Sequence, residues 1–172
     1  MRLWTIGTLI SAAITLILSG AIAGFFYAYS VSVMRGLDAT DPQHAIAAMQ
    51  GINATVRNAL FAPAFFGTPV MAALTGALFI FGHRRKAGLV LILAAAVYVL
   101  GALLPTFLVN VPMNDALAVA SIPADQQDAQ TLWTNYSTRW TEWNHLRLAF
   151  SMLSLALVGA ALFLAGRPTA QA

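Results

Sequence analysis

The chain has 172 residues, 59% of them hydrophobic and only 9% charged, where ordinary soluble domains carry about 25% charged residues. That balance identifies a single integral membrane domain over 1–172 before any segment is inspected. The formal charge of +3 rests on nine Lys and Arg, three of them adjacent, which suits membrane topology and excludes a nucleic-acid surface. With no cysteine, disulfides, iron–sulfur clusters, thiolate zinc sites and cysteine nucleophiles are excluded.

In chain order, the first apolar stretch runs from about 3 to 34, between Arg2 and Arg35. At about 1.5 Å per residue it outreaches a hydrocarbon core of about 30 Å, so it is tilted or projects beyond the bilayer. Ala21-Ile22-Ala23 offers a signal-cleavage reading, but the apolar pattern continues through Gly24-Phe25-Phe26-Tyr27, which favours a retained helix. Gly20 and Gly24 form a small-xxx-small pair suited to close helix packing.

Asp41-Pro42 reads as an N-cap followed by proline at the first helical position, opening a helix from about 42 to 60. On it Gln50, Asn53 and Arg57 share a face within about 60°. Pro63 and Pro69 are expected to kink the junction with a second span at about 59–82. The short basic turn "HRRKAG" leads into a third span at about 87–109. Pro105 and Pro112 should break or bend the chain there, with Thr106, Asn110 and Asn114 clustered around them.

After Pro123 a further helical stretch runs into "RWTEWNHLRL" (139–148) and a fourth span at about 148–165. Trp133, Tyr136, Trp140, Asn144, Arg147 and Ser151 fall on one face within about 80°. Trp143 sits at its edge, and His145 lies about 100° from Asn144 on a neighbouring face. The fold class is therefore all-α, a four-transmembrane-helix bundle with helical extracytoplasmic connections. The basic turn between spans two and three places both termini in the cytoplasm, in the plasma (inner) membrane.

The polar groups on these three segments fall at one membrane boundary and are candidates to converge on a pocket. Gln50, Asn53, Arg57, Asn110, Asn114, Tyr136, Trp140 and Trp143 are the candidate substrate-binding residues. They combine hydrogen-bonding groups with flat apolar walls. The competing reading is an aromatic belt with interhelical hydrogen bonds. His145 supplies a general base near neutral pH without much tuning, although it points off the polar face. No metal and no cofactor is expected, since three His and no cysteine leave too few ligands.

"GFFYAYSVSVM" (24–34), "AMQGIN" (48–53), "NVPMNDAL" (110–117) and "WTEWNHLR" (140–147) together resemble the blocks of the DUF1772, or anthrone oxygenase, family. The resemblance covers about residues 20–165. It implies a four-helix membrane protein and a cofactor-independent oxidation of a hydrophobic aromatic, anthrone-type substrate by O₂. In that reading His145 is the base, while Arg147 and Asn144, with Asn53, hold the oxyanion. The partners are the lipid bilayer and a hydrophobic aromatic small molecule, with the oligomeric state open. The alternative is a non-catalytic membrane subunit that binds a lipid, a quinone or a partner helix.

Overall fold

The computed structural model describes residues 3–167, and among them every regular element is helical. Arg2, which precedes the first apolar stretch, lies outside the described residues. The elements are α1 (Leu3–Ala28), a π-helical turn π1 (Tyr29–Val33), α2 (Met34–Asp38), α3 (Pro42–Thr55), α4 (Phe61–Phe81), α5 (Arg85–Tyr98), π2 (Val99–Leu103), π3 (Thr106–Asn110), α6 (Val111–Val119) and α7 (Gln126–Gly166). Read continuously through their π turns, four helices are long and apolar enough to cross a membrane: Ile6–Asp38, Phe61–Phe81, Arg85–Val119 and Gln126–Gly166.

Three of these four are longer than the apolar patterns that announce them. α7 alone has 41 residues, about 62 Å at about 1.5 Å each, twice a hydrocarbon core of about 30 Å. "RWTEWNHLRL" is thus the middle of one uninterrupted helix and not the lead-in to a separate one. The third span likewise runs past Asn110 to Val119 instead of breaking at its prolines. Both prolines are absorbed by the flanking π turns, whose wider hydrogen-bond spacing accommodates a missing donor. The Thr106 hydroxyl back-bonds to the Ala102 carbonyl at 2.8 Å in the same turn.

α3 behaves as its sequence suggests at one end only. Asp41 caps it, its carboxylate accepting from the Gln43 and His44 amides at 3.0 and 3.3 Å. It then ends at Thr55, short of 60, because Asn58 takes over. The Asn58 side chain donates to the Thr55 carbonyl and accepts from the amides of Leu60 and Phe61, turning the chain into α4. Pro63 falls in the first turn of α4, where no intrahelical donor is required. Pro69 lies inside α4 and leaves the Phe65 carbonyl without its usual amide. The buried Tyr98 hydroxyl fills that place at 3.0 Å.

The lower half of the bundle is held by small residues and by hydroxyls. A β-carbon on Gly88 would come within 2.5 Å of the Gly76 carbonyl oxygen, so α4 and α5 pack backbone against backbone there. Gly20 and Gly24, the pair expected to do this, have nothing within 4 Å of an added β-carbon. Ser11 and Thr15 bond to Thr75 at 2.6 and 2.8 Å across the α1–α4 interface. The upper half is a cap in which Ile46 and Met49 of α3 and Leu117 of α6 pack on Trp133, Tyr136 and Trp140 of α7. Polar ties close it: Gln43 donates to the Pro123 and Ala124 carbonyls, Gln126 to Asp41, and the Trp133 indole to Asp38.

Candidate functional site

Where cap meets bundle, the chain encloses a cavity of about 470 Å³, within the size range of small-molecule sites. Its walls are mainly rings. Phe25, Phe26 and Tyr29 come from the first span, Phe61, Phe65 and Phe66 from α4, Phe107 from π3 and Trp140 from α7. They touch one another: Tyr29 meets Trp140 at 5.3 Å between centroids, Phe25 meets Phe61 at 4.9 Å and Phe66 meets Phe107 at 6.1 Å. Phe66 and Phe107 remain 48% and 45% exposed on the outer face of the bundle.

Against this apolar surface stands one buried cation. Arg147 of α7 is only 4% exposed and lines the cavity. Its guanidinium lies over the Phe26 ring at 4.8 Å and the Trp140 ring at 4.9 Å from the centroids, a stacking that offsets part of the cost of burying charge. Nη1 donates to the Thr106 hydroxyl at 3.2 Å and Nη2 to the Asn144 carbonyl oxygen at 3.0 Å. Nε has no partner. No carboxylate forms an ion pair with Arg147 among the described residues. A membrane-buried arginine is commonly neutralised by an acid or bonded to backbone carbonyls; without an ion pair, this one presents a net positive charge and spare donors.

Asn144 fixes that cation. It is fully buried, and its amide donates to the Phe26 carbonyl at 3.0 Å and to Ser30 Oγ at 2.8 Å. Those donations aim its oxygen at Arg147 and tie α7 to the first span beside π1. A second chain of bonds sets the adjoining wall. Asn53 donates to the Tyr136 hydroxyl at 3.3 Å, and Tyr136 donates to Asn114 Oδ1 at 2.8 Å. The Trp140 indole donates to the same oxygen at 2.9 Å. Three helices, α3, α6 and α7, are thereby locked around the Trp140 ring.

The sequence candidates therefore separate by place. Asn53, Arg57, Asn114, Trp140 and Arg147 line the cavity, as does Thr106. Tyr136 and Asn144 stand behind the wall and orient it. Asn110 is buried and donates to the Trp140 carbonyl at 3.4 Å. Gln50 is used by the cap, where its amide donates to the Leu117 and Ala120 carbonyls at the end of α6. Trp143 is half-buried and His145 exposed, and neither lines the cavity. Arg57 sits in the α3–α4 turn and pairs with Asp115 at 2.8 Å on the surface, beside Asn58 at the mouth.

The wheel on α7 is reproduced: Trp133, Tyr136, Trp140, Asn144, Arg147 and Ser151 are all buried. Most of the phenylalanine wall was missed. "FAPAFF" (61–66) and Phe107 carry no signal of their own, because lipid-facing and pocket-facing rings look alike inside an apolar span.

A family model described as anthrone oxygenase matches residues 58–157, more than half of the chain. The matched region holds Thr106, Asn114, Trp140 and Arg147 and stops short of Asn53 and the first span. No curated protein and no solved structure matches the chain.

Proposed function

The chain belongs to the anthrone oxygenase family, and on that premise we propose that its cavity takes up a flat phenolic substrate of anthrone type and directs its oxidation by O₂. The observation that carries this reading is Arg147: a buried, unpaired guanidinium set in a wall of aromatic rings. Such a site favours a planar apolar molecule that becomes an anion as it reacts.

An anthrone has a CH₂ between two aromatic rings, opposite a ketone. Loss of one CH₂ proton places negative charge on the ketone oxygen, where Arg147 can hold it. The anion gives one electron to O₂, and the resulting radical and superoxide join in a C–O bond. Protonation of the distal oxygen gives a hydroperoxide. Loss of the second CH proton then breaks the O–O bond, leaving a ketone and a hydroxide that is protonated to water. Atoms balance as anthrone plus O₂ giving anthraquinone plus water. The protein's part is to make the first proton acidic and to keep the rings in a dry slot.

His145 is exposed and does not line the cavity, so the first proton passes to water at the mouth and not to that imidazole. The exposed Phe66 and Phe107 edges admit a lipid-dissolved substrate from the bilayer. In this reading the protein sits in the plasma (inner) membrane with its basic turn in the cytoplasm.

Purified protein given an anthrone under O₂ should form anthraquinone faster than buffer, and His145→Ala should match the parent rate. A rate equal to buffer across anthrones of varied ring substitution would sink the enzymatic reading. One observation favours a second reading: among the described residues, none lining the cavity is a carboxylate or an imidazole. The same slot would then serve a non-catalytic membrane subunit that holds a quinone, which would bind with the same dependence on Arg147 and undergo no turnover.

A further inference from the structure

The end of the bundle away from the aromatic cavity carries a second concavity, of about 520 Å³. It is a groove between α1 and α7, floored by Phe79 of α4 and lined by Leu9, Ala13, Leu16 and Leu162, with Arg84 at its rim. Leu9 and Leu16 remain exposed along it. The rim charge is held in place: Arg84 Nη1 donates to the carbonyls of Ala165 and Arg167 at the end of α7. Those bonds use one of its two terminal nitrogens, so further donors remain.

Around it the charge is uniform. Arg85, Lys86 and Arg167 are exposed beside Arg84, and neither ion pair of the described residues involves them. All six acidic residues of the chain fall between 38 and 142, none of them in 82–88 or 143–172. An apolar groove thus opens beside Arg84, whose neighbours Arg85, Lys86 and Arg167 have no ion-pair partner among the described residues.

We infer that this end of the bundle binds one acidic phospholipid, its headgroup on Arg84, Arg85, Lys86 and Arg167 and an acyl chain in the groove between α1 and α7. Charge complementarity selects the headgroup, and the apolar lining selects the chain. Annular lipid would feel the cations but would not need the groove. A free phosphate would need the cations alone.

The test uses the full chain in mixed vesicles of phosphatidylcholine with a minor fraction of phosphatidylglycerol. The protein is re-extracted in mild detergent and its retained lipid is counted by native mass spectrometry. Retention of one phosphatidylglycerol per chain, with phosphatidylcholine lost, is expected. Arg85→Gln with Lys86→Gln should weaken retention by about fivefold per neutralised residue. Ala13→Trp fills the groove from an exposed position and should abolish retention with every cation intact.

Equal retention of both lipids would overturn the site. So would unchanged retention in Ala13→Trp, which would mark annular attraction only. Displacement of the lipid by inorganic phosphate alone would mark an anion site without a lipid groove. A parent dimer that Ala13→Trp converts to monomer would mark the groove as a contact between two copies. Thermal melting of both variants in the same detergent separates lost binding from lost folding.

Discussion

Replacing Arg147 by Met keeps an unbranched chain of similar reach and removes the charge. The variant loses two hydrogen bonds from a charged donor, to Thr106 and Asn144, each worth about 1.5–3 kcal/mol. It also escapes the cost of keeping a guanidinium within the membrane region, about 2.5–3.5 kcal/mol on insertion scales. The two terms largely cancel, so a net destabilisation of about 0–3 kcal/mol is expected. Binding should respond more sharply. A phenolate held by one charge-assisted bond from the Arg147 guanidinium, which lines the cavity, should lose about 1.5–3 kcal/mol, or about 10- to 150-fold in affinity.

The assay is equilibrium titration of a hydroxyanthraquinone, whose colour reports its own ionisation, in detergent at several pH values. In the parent protein the bound ligand should ionise at lower pH than in Arg147→Met, by about 1–2 pH units for the same free energy. Thermal melting of the empty proteins supplies the folding control. If Arg147→Met binds the phenolate as tightly as the parent with the same ligand ionisation, the cation is structural and holds no anion. Arg147→Lys should fall between, since it restores charge without the planar fork that reaches both Thr106 and Asn144.

Three further outcomes are expected. Tyr98→Phe strands the Phe65 carbonyl that Pro69 exposes and should cost about 1–3 kcal/mol; the cost should shrink in Tyr98→Phe/Pro69→Ala, and additive losses in that double-mutant cycle would contradict the pairing. Gly88→Ala drives a methyl into the Gly76 carbonyl and Ile80 and should destabilise by about 1–3 kcal/mol, whereas Gly24→Ala, with open space around it, should leave the melting temperature unchanged or raised. The hydrogen bond from Gln126 first, with the Gln43 and His44 amides assisting, holds the Asp41 carboxylate below the usual range. Its contribution is therefore present above the unfolded value of about 3.9 and is lost as pH falls through the folded value. Melting curves stepped downward from pH 6 should show that acid loss, and it should be smaller in Gln126→Ala.

The sequence by itself determined the class, the number of spans and one buried polar face, that of α7. A composition this apolar and this poor in charge can only settle in lipid, and helices are the spanning form that satisfies its backbone without edges. The α7 face was legible because polar side chains at helical spacing contrast with their surroundings, and Asn144 and Arg147 are costly enough in a membrane to demand partners. The caps at Asp41 and Pro42 were legible for a similar reason, being local chemistry.

Tertiary structure decided what local pattern cannot encode. The lengths of the third and fourth helices depend on π turns that absorb Pro105 and Pro112 and on a cap that shelters the polar half of α7. Asn110 and Asn114 stand one turn apart in sequence, yet only Asn114 lines the cavity. Which glycines permit close approach was set by how α4 meets α5, since Gly20-xxx-Gly24 and the distant pair Gly76 and Gly88 are equally small. The phenylalanine wall lay hidden for the deepest reason: in a bilayer, burial against protein and exposure to lipid both select apolar side chains. Only the packing of four spans separates Phe65, inside, from Val70, outside.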